Sequence, residues 1–173
     1  MGYAVDIGSA AVFALIAASA RSVPELVAFC WLAAIGIPLA LIDAAVRRLP
    51  DALTMPALAG LVGVFAAAAL TGGQPGALVR TAASSAGLAG FYLLLALIRP
   101  GEMGFGDVKL SLAVGAALGW LGWTSVIAGT FAAFLIAAAV VVILLVRRAT
   151  DRRGLVPFGS FMLAGALVAV VVT

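Results

Sequence analysis

Long apolar runs constrain this chain more than any other feature. Runs of roughly 17 residues or more recur along it, and as helices they are long enough to cross a hydrocarbon core. The alternating pattern of membrane β-strands is absent. With 65% hydrophobic and only 10% charged residues, the chain has too little polar surface for a soluble domain. We therefore predict an all-α fold, a polytopic transmembrane helical bundle.

The apolar runs divide the chain into about six to seven spans of a single integral-membrane domain over residues 1–173. The seven candidate spans are 4–20, 24–44, 52–71, 76–98, 107–119, 124–146 and 156–172. The fifth is short, and the stretch from Gly119 to Trp123 is expected to form a tight interfacial turn. Six or eight crossings therefore also fit the pattern.

The first span has one feature of a cleaved signal peptide, the small residues Ala18, Ser19 and Ala20 at its end. A secretory signal begins with a basic segment, whereas this chain begins with MGYAVD and carries Asp6 there. We expect the first span to be retained.

Basic residues are distributed unequally between the two ends of the predicted bundle. Eight of the ten lie in or beside the loops after spans two, four and six: Arg47, Arg48, Arg99, Lys109, Arg147, Arg148, Arg152 and Arg153. Because positive charge accumulates on the cytoplasmic side, this end is predicted to face the cytoplasm. The net charge of +3 thus indicates a lipid bilayer as partner and no nucleic acid.

The chain has no histidine, and Cys30 is its only cysteine. Zinc sites built on histidine or paired cysteine, Ser-His-Asp triads, Cys-His pairs and internal disulfides are therefore excluded. A Ser-Lys pair would need Lys109, the sole lysine, and nearby Ser111 points to another helix face. We interpret Cys30 as a packing residue.

Two of the seven acidic residues fall inside predicted spans. Asp43 ends an apolar helical run, and Asp107 opens the fifth span. An ionisable side chain within a span costs about 2.5–3.5 kcal/mol on insertion scales, so it indicates a functional site. By the charge distribution, both aspartates belong to the cytoplasmic side.

The other five carboxylates have simpler interpretations. Asp6 and Glu25 are expected to be solvated at span ends, Asp151 to pair with neighbouring arginines, and Glu102 to be a loop charge. Asp51 follows Pro50 and is expected to cap the third span, where a carboxylate satisfies free backbone N–H groups.

Asp43 and Asp107 together suggest acid–base chemistry. Two carboxylates a few ångströms apart in a low-dielectric site cannot both ionise, which leaves one acid and one base. Such a pair can activate water against a peptide bond, so we expect no metal and no other cofactor. An ion or proton pathway and a structural Asp–Arg pair remain as alternatives.

Gly104 and Gly106 flank Phe105 immediately before Asp107. Glycine permits close backbone approach, so an unwound substrate segment is predicted to lie beside this loop and bind there. The simpler alternative is that both glycines only end a helix and turn the chain.

Three ordered blocks resemble the prepilin peptidases, the type IV leader peptidases among the Gly-x-Gly-Asp intramembrane aspartic proteases. GEMGFGDVKLSLAVGAALGW resembles the family signature, IDAAVRRLPDALTMPAL its first-aspartate region, and LVPFGSFMLAG its third block. The resemblance implies that Asp43 and Asp107 are the catalytic dyad. It also implies a substrate, a type IV prepilin or pseudopilin with a short basic leader and a hydrophobic helix, cleaved at the cytoplasmic face after a glycine.

The chain departs from the family pattern in two ways. Many members carry paired Cys-x-x-Cys motifs and also N-methylate the new terminus, whereas this chain has one cysteine, so we expect no methyltransferase activity. Some members have a second aspartate two residues after the first, where this chain has Ala45. Asp51 is then the only nearby competitor for the role of Asp43.

Other residues near these blocks have open roles. Lys109 is a candidate substrate contact and equally an interfacial anchor. Arg47 and Arg48 are candidates for contact with lipid or an acidic substrate residue, although topology alone explains them. Phe158 and Gly159 are expected to shape the site by packing. An ion- or proton-coupled transporter that uses the same aspartates is the alternative function, and a non-catalytic assembly factor is a third.

Overall fold

The computed structural model describes residues 2–46, 48–72, 74–98, 103–147 and 157–173. These residues form seven α-helices and no strand. The helices are α1 (Gly2–Ser19), α2 (Val23–Val46), α3 (Asp51–Gly72), α4 (Pro75–Ile98), α5 (Phe105–Leu121), α6 (Trp123–Val146) and α7 (Phe158–Val172). Their ends lie within two residues of the predicted spans. The predicted all-helical bundle is confirmed.

Four helices, α2, α3, α4 and α6, are long and apolar enough to cross a membrane, and α1 and α7 are shorter apolar helices. The surface of α6 carries large exposed side chains such as Ile127, Phe131 and Leu135. Exposed apolar surface of this extent is unfavourable in water and favourable in lipid. The bundle therefore has the surface of a membrane protein.

Helix α5 lies at the centre of the bundle. It packs against α3, α4, α6 and α7, and every residue from Ala113 to Trp120 is buried. Asp107 lies in the first turn of this helix. The packing of α5 thus fixes where that carboxylate sits.

Two glycines allow α5 to approach α4 closely. A Cβ atom at Gly115 would lie 2.7 Å from the carbonyl oxygen of Ser84, and one at Gly119 would overlap the Ser84 side chain. Such small residues one turn apart are typical of packed membrane helices. Arg80 of α4 also donates hydrogen bonds of 2.7 Å to the carbonyl oxygens of Gly119 and Trp120, which fixes the position of α5 along its axis.

The turn after α5 is shorter than the sequence indicates. Gly119 and Trp120 are helical, and Gly122 alone separates α5 from α6. Its φ of 153° and ψ of 169° favour glycine, because a side chain is strained there. The predicted interfacial turn over 119–123 is therefore corrected to one residue.

The ends of four helices, α2, α3, α5 and α7, meet at one end of the bundle. Leu49, between α2 and α3, contacts the first turns of α5 and α7, and Lys109 of α5 pairs with Asp51 of α3. At the opposite end, Arg21 and Ser125 hydrogen bond to Thr173. Of the basic residues expected at the first end, five lie outside the described residues: Arg47, Arg99, Arg148, Arg152 and Arg153.

Candidate active site

Asp43 occupies the last turn of α2 and is only 4% exposed. Its Oδ2 accepts a hydrogen bond of 3.0 Å from the backbone N–H of Ser160 and lies 3.3 Å from the Ser160 hydroxyl. That hydroxyl also lies 3.1 Å from the carbonyl oxygen of Ala40. The buried carboxyl group therefore joins the end of α2 to the first turn of α7.

Asp107 is the third residue of α5 and is 8% exposed. Its Oδ2 accepts a hydrogen bond of 3.2 Å from the N–H of Gly104, and its own N–H donates to the Gly104 carbonyl at 3.0 Å. This reciprocal pair begins the helix in the manner of a capping box. Within the described part of the chain, the buried Oδ1 has no hydrogen-bond partner.

Gly159, in the first turn of α7, is the point where the two carboxyl groups meet. A Cβ atom at this residue would lie 3.0 Å from Asp107 Oδ1 and 3.0 Å from Asp43 Oδ2. Because both oxygens are that close to one point, they are separated by at most twice that distance. The structure thus brings together the two acids that the sequence singles out, and we call them the dyad.

Leu49 closes one side of this arrangement. Its side chain would lie 2.9 Å from a Cβ atom at Gly159, and its Cβ lies 2.7 Å from the corresponding position at Gly106. Gly106, in the first turn of α5, therefore packs against the residues that connect α2 to α3. Gly104 precedes the helix and has more space around it: the nearest atom to a Cβ at this residue would be Asp107 Oδ2, 3.7 Å away. Their predicted role in binding an extended substrate stays a prediction.

Gly106→Ala is expected to lower the stability of the bundle by about 1–3 kcal/mol, because the new methyl group overpacks against Leu49. Thermal unfolding in detergent measures this change. Leu49→Ala should not relieve the clash, since the nearest contacting atom is the Cβ that alanine retains, whereas Leu49→Gly should relieve it in part and leave the backbone oxygen of residue 49 at 3.1 Å. Unchanged unfolding of Gly106→Ala would contradict the close packing.

Lys109 and Asp51 form an ion pair at this end of the bundle. The two side chains are 39% and 63% exposed. Asp51 is the first residue of α3 rather than the residue before it, so the predicted N-cap is wrong: its carboxylate is directed to the ammonium group of Lys109. The predicted role of Lys109 in substrate binding stays a prediction.

Lys109→Gln is expected to change stability by less than about 1 kcal/mol, because exposed ion pairs contribute little and are screened by salt. Unfolding at low and high salt checks this value. Lys109 is paired with Asp51. In a cleavage assay, a rise in KM of Lys109→Gln with an unchanged kcat would show that Lys109 also binds the substrate.

Three residues at the site have no role in the sequence prediction: Leu49, Ser160 and Tyr92. Leu49 and Ser160 fall inside the recognised blocks, but nothing in their spacing indicates which neighbour they contact. Tyr92 lies in an apolar part of α4 with no motif around it. Among the charged residues, Arg48 is exposed, and Arg47, Glu102 and Asp151 lie outside the described residues.

The sequence profile of the type IV leader peptidase family matches residues 26–146 of the chain. The matched segment contains both acids of the dyad, whereas Gly159 and Ser160 lie beyond it. Neither a curated protein nor a solved structure matches the chain significantly. With its apolar helices, the match makes the chain a multi-pass membrane protein with a leader peptidase function in general. The chain belongs to the type IV leader peptidase family.

Proposed function

We propose that this protein is an aspartic endopeptidase that removes the leader peptide from type IV prepilin or pseudopilin-like precursors. One observation carries the proposal: two buried carboxyl groups, from α2 and α5, both contact Gly159. Burying a carboxyl group is costly unless it is hydrogen bonded or has a charged partner, so its presence within a span indicates a function. The meeting of both acids at one residue supports peptidase chemistry over a structural Asp–Arg pair, which would need only one of them.

The separation of the dyad suits activation of one water molecule. Two hydrogen bonds through a water span roughly 5.5 Å, comparable with the upper limit set by Gly159. The ionised carboxyl group accepts a proton from the water molecule while the oxygen of that water bonds to the scissile carbonyl carbon. The protonated carboxyl group stabilises the carbonyl oxygen. Breaking the C–N bond with protonation of the leaving amine then gives a new carboxylate and a new N-terminus.

An apolar cavity supports a substrate with a hydrophobic helix. The cavity has a volume of about 250 Å³, lies between α1, α2 and α7, and begins at Ala40 and Ser160. Ser160 is the residue that donates to Asp43, so one end of the cavity lies beside the dyad. It extends along α7 to Val170, about 15 Å at 1.5 Å per residue. Such an apolar lining can accept the apolar side chains of a substrate helix. Among the described residues, it offers no charged group that could bind a basic leader.

The orientation of the protein follows from its charge distribution. The end that holds the dyad also carries Arg48, Lys109 and Arg147 among the described residues. Positive loops favour the cytoplasmic side, and we therefore place the dyad at the cytoplasmic face of a bacterial cell membrane. A basic precursor leader would reach the dyad from the same side.

Reconstitution with a precursor in lipid vesicles tests this function. The substrate should carry a short basic leader, a glycine and an apolar helix, and mass spectrometry should identify the new N-terminus after the glycine. Two controls are a precursor whose glycine is replaced by a large residue and vesicles without the peptidase. An intact precursor under all conditions would contradict the proposal, and carboxylate-dependent ion flux without proteolysis would support the transporter alternative.

A further inference from the structure

Tyr92 of α4 has a buried hydroxyl group that the fold does not explain. The residue has no exposed surface. Within the described ranges, its hydroxyl oxygen has no hydrogen-bond partner. A buried hydroxyl group without a partner is unfavourable, because it loses its hydrogen bonds to water and gains none in the protein. Phenylalanine would fill the same space without that penalty, so packing alone does not account for tyrosine.

The surroundings of Tyr92 connect it to the dyad. Its ring centroid lies 5.5 Å from that of Phe158, and Phe158 directly precedes Gly159, which contacts both acids. Phe134 stacks against Tyr92 from α6 and, with Phe158, confines the ring. The Tyr92 ring thus packs against the residue next to Gly159, whose Cβ position is 3.0 Å from Asp107 Oδ1.

Asp107 also has a buried polar atom without a good hydrogen-bond partner. Its buried Oδ1 lies beside the backbone of Gly159 but has no hydrogen-bond partner of normal geometry among the described residues, while Oδ2 is bound by Gly104. Two buried polar atoms without partners, one on α4 and one on α5, thus lie near each other.

We propose that Tyr92 is a positioning residue whose hydroxyl group hydrogen bonds to Asp107 Oδ1 during the reaction. A phenol can donate to a carboxylate and accept from a carboxylic acid. The hydroxyl can therefore keep a hydrogen bond to Asp107 while the proton of the dyad moves. Tyr92 does not contact the substrate in this role; it holds one carboxyl group in the orientation that hydrolysis requires. The inference rests on the proposed peptidase function.

Tyr92→Phe provides the test, with Thr81→Val as the matched control. Thr81 is on the same helix, and its buried hydroxyl also lacks a partner in the described chain, but it lies about 16 Å further along the axis at 1.5 Å per residue. Both full-length variants are reconstituted with the precursor, and kcat and KM are measured per monodisperse protein. We expect kcat of Tyr92→Phe to fall about 10- to 100-fold, as for a misplaced catalytic group, with KM within about twofold of wild type. Thr81→Val should keep both constants.

Each outcome decides the inference. Wild-type kcat in Tyr92→Phe would overturn it, as would an equal loss in Thr81→Val. Failure of Tyr92→Phe to fold would also overturn it, because a hydroxyl without a structural partner is not needed for stability. Failure of the proposed function is distinguishable, since wild-type protein would then leave the precursor uncut.

Discussion

Asp43→Asn and Asp107→Asn are each expected to lower precursor cleavage by about 10²- to 10⁴-fold, the range typical of lost acid–base catalysis. Asparagine has nearly the same shape as aspartate and can still accept the hydrogen bonds from Ser160 or Gly104. It cannot exchange a proton with the other acid or with water. The variants should therefore insert and fold, with the loss confined to kcat.

Asp51→Asn is the matched control for these two variants. It removes a carboxylate at the same end of the bundle, but this carboxylate is exposed and paired with Lys109. We expect cleavage within about threefold of wild type, because an exposed pair contributes little. Precursor gels and single-turnover rates compare all three. Normal cleavage by either dyad variant, or loss in Asp51→Asn alone, would contradict the assignment.

Gly159→Ala is expected to produce the second large effect. Its methyl group would lie 3.0 Å from an oxygen of each acid and 2.9 Å from Leu49, closer than a carbon atom normally approaches. The carboxyl groups must then move apart or rotate. Misplacement of this order lowers a rate by about 10²-fold, and we expect Gly159→Val to be at least as severe. Single-turnover kinetics with the reconstituted precursor measure the loss.

Gly87→Ala separates this local effect from a general effect of alanine. A Cβ atom at Gly87 meets nothing within 4 Å, and alanine favours a helix over glycine by about 1 kcal/mol. Cleavage should be unchanged and thermal stability equal or higher. Wild-type kinetics in Gly159→Ala would contradict the prediction, because they would show that a methyl group at residue 159 does not displace the carboxyl groups of the dyad.

The helices were predictable because the solvent dictates them. A chain in lipid must satisfy every backbone N–H and C=O group within its own helices, so apolar length alone locates the spans. Even the short fifth span was located within two residues at each end. The turn at Gly122 was less predictable, since the glycine and tryptophan residues before it suggest a break where buried packing favours helix.

The site was predictable only in part. Two acids in apolar segments are rare enough to be recognised from sequence, and Asp43 and Asp107 do lie together. Their neighbours depend on tertiary contacts between residues far apart in the chain, such as Ser160 with Asp43 and Leu49 with Gly106. The N-cap prediction for Asp51 was wrong for the same reason, because Lys109, distant in sequence, provides an opposite charge.

Cross-linking of positions 43 and 107 in membranes tests the central claim that α2 and α5 bring two acids into one site. The double variant Asp43→Cys with Asp107→Cys, in a Cys30→Ala background, carries a protease site between α3 and α4. The shortest bifunctional methanethiosulfonate should keep the two halves joined after proteolysis until a reductant is added. Asp43→Cys with Gly76→Cys is the control pair; Gly76 follows the protease site, lies in the first turn of α4 and has nothing within 4 Å of its Cβ position, so these halves should separate. Joined halves in the first pair alone are the predicted result, and separation in both pairs would contradict the account.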